Sequence, residues 1–351
     1  MHIKKQFVVI LLLVIAIGVV ASVFMKKQMP ADIVLEEEIA DLPQKSSISL
    51  DTYLPIVKDN IWHYENKKND STLTSWVEFI DNDVMQVRFS DGEKSFVKVY
   101  IAEEEAIYEV AKVEDVSIKE NYTTLRQYKN IVLKLPLVVG NSWVLSDGAV
   151  RTITKIGEDY ETPIGMQKAI EITTSHDDYK VKEIYAEKIG LIEMDYTSDK
   201  TVHNFKLTKF ENNTAREEQV TLYIAKKKSG ILNKIEQNIS VMTNEEPRHF
   251  LTDLLNKVIG TEYITTISNG AIVDKIFLDD EDCLYVEMSQ DFMDPIYNEE
   301  EQKGVIMSLA QTLGHYYSAK YVIITIDGEI YPVKDGQADA KGRIRVLGGA
   351  R

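Results

Sequence analysis

Six histidines, one cysteine and a large surplus of acids are the residues from which this chain could assemble reactive or metal-binding chemistry. The histidines are His2, His63, His176, His203, His249 and His315, and no two lie within four positions of each other. That spacing excludes the H-E-x-x-H zinc helix, and the sequence also lacks G-x-S-x-G, a P-loop and G-x-G-x-x-G. His249 and Asp253 stand four apart on a helical pattern, the spacing of a surface ion pair. His176-Asp177-Asp178 could hold a cation loosely, but reads first as a solvated strand turn. Asp279-Asp280-Glu281-Asp282 invites a calcium test. An EF-hand loop needs glycine at its sixth position, and the sixth residue from Asp279 is Leu284, inside an apolar run. A hairpin turn is the expectation there. Cys283 opens that run as a small buried hydrophobe. Fifty-six acids guarantee many carboxylate pairs, so pairing alone carries no information about glycoside cleavage. No catalytic, cofactor-binding or metal-ligating residue is assigned, and no enzyme or cofactor is expected.

Trp62, Trp76 and Trp143 are the candidates for stacking against a ligand. Two of them belong to a repeat. Leu54–Tyr64 (LPIVKDNIWHY) and Leu135–Leu145 (LPLVVGNSWVL) align without a gap, sharing Leu54/Leu135, Pro55/Pro136, Val57/Val138, Asn60/Asn141 and Trp62/Trp143. A repeated tryptophan after a Pro and an Asn suits a core anchor at the start of a strand, and truncating such a residue typically costs about 3–5 kcal/mol. Short runs follow each copy: WVEFI, VMQVRFS and FVKVYIA after the first, then VRTITKI, KAIEITT and KEIYAEKIGLIEMDY after the second. Their alternation, with turn signals at Ser90-Asp91-Gly92, Ser146-Asp147-Gly148 and Pro163-Ile164-Gly165, predicts antiparallel strands. Residues 51–211 are therefore expected to be a β-rich domain of two similar halves.

Charge and length frame these elements. The chain has 351 residues, with 40 Lys+Arg against 56 Asp+Glu and a net charge of −16. Such an acidic balance excludes nucleic acid as a partner, because neutralising phosphates needs a basic surface. A 44% hydrophobic content supports two or three cores, and a single cysteine excludes an internal disulfide framework. The nineteen residues from Phe7 to Met25 carry no charge. As a helix they would span roughly 28 Å, so residues 1–27 are expected to be a transmembrane anchor with a short cytoplasmic leader. Val19 and Ala21 also form a weak cleavage pattern, and the absence of a cysteine after the run excludes lipid attachment there. Residues 28–50 and 212–219 have linker composition. The bulk is expected outside the cytoplasm, tied to the cell membrane by one pass.

Beyond Val220 the pattern mixes strand and helix. VTLYI reads as a strand, and Pro247 to Ile259 as a helix with Pro in its first turn. Two strands flank the acidic turn, a long helix spans Glu299–Ser318, and strands at Tyr321–Ile326 and Ile330–Val333 turn at Asp327-Gly328. The expected order is β-α-β-β-α-β, two helices packed on a sheet, over residues 220–334, with 335–351 as a flexible tail.

Residues 220–333 resemble the GerMN domain of sporulation and spore germination. The matching pieces are VTLYI, LYVEMSQDF (Leu284–Phe292), VIMSLAQTL (Val305–Leu313) and YVIITIDGE (Tyr321–Glu329), in the family's order. Val258–Ile272 departs from the family's Gly-Pro and Pro-x-Gly-Thr connection. The resemblance implies small α/β modules that pack side by side, as in ring-building envelope proteins, and it brings no catalytic residues. Residues 51–211 are loosely similar to domains of bacterial envelope lipoproteins. Together these imply a membrane-anchored, non-enzymatic scaffold of spore formation, germination or envelope assembly. Its partners would be envelope proteins or further copies, met through the exposed face of the Glu299–Ser318 helix or a sheet edge. The alternative is an envelope protein that binds an apolar ligand or a cell-wall fragment.

Overall fold

In a computed structural model, the described residues are 49–116, 118–199, 201–267, 270–293, 297–333 and 337–348. Twelve strands make one continuous antiparallel sheet. The first six are β1 (Ile61–Asn66), β2 (Ser71–Asp81), β3 (Val84–Ser90), β4 (Ser95–Ala102), β5 (Ala106–Val113) and β6 (Asn130–Lys134). The second six are β7 (Ser142–Val144), β8 (Val150–Thr162), β9 (Gly165–Ser175), β10 (Tyr179–Ala186), β11 (Gly190–Ser198) and β12 (Val202–Glu211). Each six-strand set is an up-and-down meander, and β1 pairs with β12 from Ile61↔Glu211 to Asn66↔Phe205. The sheet order therefore starts at β6 and ends at β7, two strands consecutive in sequence.

That seam has no ladder. Side chains close it instead: Trp143 Nε1 donates to the Ile131 carbonyl at 2.9 Å, Arg151 Nε to Val132 at 3.0 Å and Asn141 Nδ2 to Lys134 at 3.4 Å. The result is a near-barrel. One end is closed by the chain before β1, where Leu50 and Tyr53 are buried and Lys188 N donates to the Thr52 carbonyl at 2.7 Å. Gly190, at φ +97°, lets Leu54 and Pro55 pass within 3.8 Å of where its Cβ would stand.

The C-terminal part is also mostly strand. A hairpin of β13 (Arg216–Ala225) and β14 (Leu232–Val241) stands beside a second sheet. That sheet holds β15 (Val273–Leu278), β16 (Cys283–Met288), β17 (Tyr321–Ile326), β18 (Glu329–Ile330) and β19 (Ile344–Arg345). Helix α1 (Pro247–Leu255) starts on its proline, and α2 (Glu299–Tyr316) on a capping box of Asn298 and Glu301. β16 and β17 run parallel, with α2 as their crossover. Gly304 on α2 permits contact with Gly230 and Ala225, since a Cβ would stand 2.8 Å from each.

The fold class expected from sequence needs correction. Among its described residues the chain is a mostly-β protein with two helices: the two β halves share one twelve-stranded sheet, and the C-terminal part adds a separate β hairpin to the expected β-α-β-β-α-β order. Two separate six-stranded halves would leave four open edges. Pairing β1 with β12 removes two of them, so both halves merge into one sheet. β14 is the strand missed in the C-terminal part: Ile235, Ile239 and Val241 alternate with polar residues and meet β13. Arg216–Gln219, expected as linker, is the start of β13. The proposed transmembrane segment lies outside the described residues. Among the described residues, no helix is long and apolar enough to cross a membrane.

Candidate functional site

Alternation along the strands sends one set of side chains into the near-barrel. Next to the closed end that set is apolar. Trp62, Tyr64, Met85, Val87 and Tyr185 are buried there and leave a cavity of only about 100 Å³. Trp62 donates through Nε1 to the Ile189 carbonyl at 2.8 Å, and Tyr64 to Leu191 at 2.9 Å. Burial pushes the Tyr64 hydroxyl well above its ordinary range.

Towards the other end the lining turns polar and opens into a cleft of about 660 Å³. Two ion pairs cross its wall. Lys98 Nζ lies 2.8 Å from Glu109 Oε2, and Tyr128 donates to Glu109 Oε1 at 2.7 Å. Burial alone would lower the Lys98 pKa, but the Glu109 carboxylate raises it above the ordinary value. Burial would likewise raise Glu109, and Lys98 with the Tyr128 hydroxyl more than offsets it, so Glu109 is held ionised. It accepts hydrogen bonds and is a poor proton donor. Arg151 pairs with Glu183 and donates to Thr174 Oγ1 at 3.0 Å and to the Tyr185 hydroxyl at 3.2 Å. That hydroxyl donates on to Glu183 Oε1 at 3.0 Å. Arg151 is thus both a wall of the cleft and a clasp of the seam.

Aromatic rings form a row along the same wall. Tyr179 stacks on His176 at 5.0 Å and on Tyr196 at 5.9 Å, and His203 lies 5.9 Å from Phe205. The Tyr196 and His203 rings are 6.4 Å apart, so the row crosses β10, β11 and β12 without a break. His203 Nδ1 is buried with no hydrogen-bond partner.

The residues singled out by sequence fall in several places. Trp62 and Trp143 are both 6% exposed and anchor the core, and neither tryptophan of the repeat lines the cleft. Trp76 lies outside the near-barrel under the Arg216 guanidinium, 4.3 Å from its ring. His176 joins the ring row, with Asp178 N donating to its Nδ1 at 3.2 Å. His249 and Asp253 are exposed on α1. The Asp279 carboxylate accepts from Glu281 N and Cys283 N at 2.9 and 2.8 Å, the hydrogen bonding of a turn. Asp282 pairs with Lys320 at 2.5 Å. Cys283 is 3% exposed, and burial pushes its thiol up to about 11. His315 has both ring nitrogens engaged: a carbonyl only accepts, so Nδ1–H donates to Gln311 and Nε2 accepts from the Tyr223 hydroxyl, each at 2.8 Å. Among the described residues, no three His, Cys, Asp or Glu side chains are grouped to hold a metal. Lys98, Glu109, Arg151 and Glu183 were not foreseen. Their signal is a charge on the same strand face as Phe96, Tyr100, Ile153 and Tyr185.

A second polar cluster lies where the near-barrel meets the C-terminal part. Arg88 Nε donates to Glu78 Oε1 at 2.6 Å, and Gln86 to Glu78 Oε2 at 2.9 Å, all three residues being buried. β2 runs past the end of β1, and Thr243 and Asn244 occupy the free edge. Asn244 N donates to the Glu78 carbonyl at 2.9 Å, and Ile80 N donates to the Asn244 side chain at 2.7 Å.

Residues 221–331 match the family model Germane, described as sporulation and spore germination. The chain thus joins a twelve-stranded near-barrel to a C-terminal Germane domain. The sporulation protein GerM from Bacillus subtilis is similar in its tandem GerMN domains, at 12% identity and a TM-score of 0.27, over 38% of this chain and 46% of that one. This chain therefore spans under half of the tandem structure. The first GerMN domain of the same protein is similar at 14% identity and a TM-score of 0.26, over 37% of this chain and 94% of that one. A Bacteroides fragilis protein with a YmcC-like fold is similar at 13% identity and a TM-score of 0.27, over 44% of this chain and 94% of that one. No curated protein matches the chain.

Proposed function

We propose that this protein serves sporulation or spore germination as a non-enzymatic scaffold outside the cytoplasm, and that its Germane domain meets envelope proteins or further copies of the chain. The observation that carries the reading is the Germane match over residues 221–331. Of the two contact surfaces the sequence suggested, the helix face and a sheet edge, the sheet is the better supported. Helix α2 is buried on nearly every side from Gly304 to Gly314, so it offers little face to a partner. The sheet beside it does: Phe277 and Tyr285, with rings 6.1 Å apart, are 62% and 37% exposed. Placement outside the cytoplasm rests on the uncharged run from Phe7 to Met25 alone.

The test is a photo-crosslinking residue placed at Phe277 of the full chain in sporulating cells, together with a Phe277→Asp, Tyr285→Asp double variant. A discrete adduct that the double variant loses, with a matching fall in spore yield or germination, is the expected result. Normal spores from cells deleted for the protein would overturn the role. A chain that forms no adduct and stays monomeric would overturn the contact surface.

A second reading, ligand binding inside the near-barrel, is favoured by the cleft of about 660 Å³, a volume in the range of small-ligand sites. The apolar variant of that reading is not favoured, because the apolar end is filled down to about 100 Å³.

A further inference from the structure

We infer that the junction between the near-barrel and the C-terminal part binds a small oxyanion, a phosphate or carboxylate group, held by Lys119 and Arg216. The site is separate from the cleft and from the Phe277 surface, so it stands or falls independently of both readings above.

The junction holds a cavity of about 370 Å³. Strands β2 and β3 supply Trp76, Glu78 and Arg88 to its lining, β13 supplies Arg216 and Glu218, and the β5–β6 connection supplies Lys119. Three cations thus face two carboxylates, a local excess of positive charge in a chain whose net charge is −16. Both carboxylates are already engaged. Glu78 accepts from Arg88 and Gln86, and Glu218 pairs with Arg216 and accepts from the Tyr316 hydroxyl at 3.1 Å. Arg88 is engaged as well: beyond Glu78 it donates to Ser95 and to the carbonyls of Val116 and Ile118.

Lys119 is the cation left over. Its Nζ donates to the Met242 carbonyl at 2.9 Å and lies 5.1 Å from the Phe79 ring centroid, and no carboxylate among the described residues pairs with it. Glu245 is near enough to act on its charge but accepts from Met242 N instead, at 2.9 Å. Burial pushes the Lys119 ammonium down to about 8, against the pull of Glu78 and Glu245, and the nearby Arg216 and Arg88 add to the fall. Arg216 is short of partners too, since its Nε is buried without a hydrogen bond and its guanidinium faces the Trp76 ring. Lys119 and Arg216 also share the wall of a second space of only about 10 Å³, which places them close together. Cations so poorly hydrated and so weakly countered are stabilised most by an anion brought between them. What the lining has left to offer is donors. Ser90 Oγ accepts from Gly92 N at 3.1 Å, so its hydroxyl hydrogen is available, and Lys119 has N–H groups beyond the one given to Met242. A neutral ligand would leave the excess charge uncountered, whereas an oxyanion accepts from several donors at once. Bound there, it would bridge the near-barrel to the C-terminal part.

The experiment is isothermal titration calorimetry of the full-length protein with inorganic phosphate, succinate and glycerol as separate arms at constant chloride. Saturable binding of phosphate or succinate, and none of glycerol, is expected, and the anion that binds tells phosphate from carboxylate recognition. Lys119→Met should weaken it about tenfold or more, the loss of one charge-assisted hydrogen bond, and Lys119→Arg should retain most of it. In the wild type, NMR of the indole N–H groups during the same titration should move the Trp76 signal. Those of Trp62 and Trp143, which donate to backbone carbonyls of the near-barrel, should stay in place. That readout decides the matter if Lys119→Met does not fold. Saturable binding of neither anion would overturn the inference, as would glycerol binding equal to theirs. Anion binding that Lys119→Met leaves unchanged, or that moves no Trp76 signal, would place the anion elsewhere and overturn the assignment.

Discussion

The twelve-stranded sheet is joined at two places, and the joins are built differently. At β1–β12 the chain uses a backbone ladder running from Ile61↔Glu211 to Asn66↔Phe205, with a bulge between His63 and Tyr64. At β6–β7 it uses the side chains of Trp143, Arg151 and Asn141, each donating to a carbonyl of β6 or of the residue that ends it. A ladder spreads its energy over many bonds of about 0.5–1.5 kcal/mol net each, and tolerates loss of any one side chain. A side-chain clasp concentrates the same task in a few residues. The clasp also sits beside the cleft, so Arg151 holds both the seam and the polar wall. The two tryptophans of the repeat make the contrast close to a controlled one. Both are 6% exposed and both donate through Nε1 to a carbonyl, but only Trp143 bridges the open join.

The largest effect should come from Arg151→Ala. It removes the bond to Val132 and strands Glu183, whose carboxylate side chain is 14% exposed, without its cation. Breaking a buried pair from one side typically costs about 3–5 kcal/mol. Urea unfolding should show that loss, and Glu183→Gln on the Arg151→Ala background should recover part of it. If Arg151→Ala cost no more than an average surface substitution, the seam would not depend on the clasp.

A smaller effect separates the joins directly. Trp143→Phe and Trp62→Phe each keep most of the core volume and delete one N–H donor, leaving a carbonyl short of a partner at about 1–2 kcal/mol. Global stability should fall similarly for both. Hydrogen exchange should not: Trp143→Phe is expected to speed exchange of β6 amides selectively, whereas Trp62→Phe leaves the β1–β12 amides protected, because the ladder there survives. Equal, global acceleration in both variants would mean that the seam opens only when the whole sheet does.

Much of the strand content was readable because it depends on local alternation. VMQVRFS, FVKVYIA and KAIEITT each lie within one strand, β3, β4 and β9, and KEIYAEKIGLIEMDY divides into β10 and β11 at the turn around Lys188. Pro247 marked the start of α1, and Trp62 and Trp143 marked the core. Closure was not legible, because which strand edges meet is decided by long-range pairing between Ile61 and Glu211 and by a side-chain clasp with no sequence period. The cleft was hidden for a different reason. In β4 the outward residues Val97 and Val99 are as buried as the inward Tyr100, since the β5–β6 connection covers them. With both faces apolar, Lys98 reads as a solvent-facing charge rather than one aimed into the near-barrel. The ring row needed the register of β10, β11 and β12 to bring Tyr179, Tyr196 and His203 together.

The smallest effect expected is also the one that distinguishes the polar wall from the seam by pH. Lys98 and Glu109 stabilise each other's charged form, with the Glu109 pKa below its ordinary value and the Lys98 pKa above it. Below about pH 4.3 the unfolded chain protonates its carboxyl while the folded one does not. The Glu109 contribution is therefore complete above that value and is lost as pH falls through the lower folded pKa. Above about pH 10.4 the unfolded chain releases the lysine proton first, so the Lys98 contribution is complete below that value and is lost as pH rises through the raised folded pKa. Lys98 is 28% exposed, so solvent screening limits the pair to about 1 kcal/mol or less. Lys98→Met should show that deficit in urea unfolding at pH 7. The deficit should shrink on acidification to pH 3, where Glu109 in the variant takes up a proton and no longer needs the ammonium group. Arg151→Ala, by contrast, should keep the part of its deficit that comes from the lost bond to the Val132 carbonyl, which does not titrate. If both variants recovered fully in acid, the seam would owe its closure to charge pairing and not to the hydrogen bond across it.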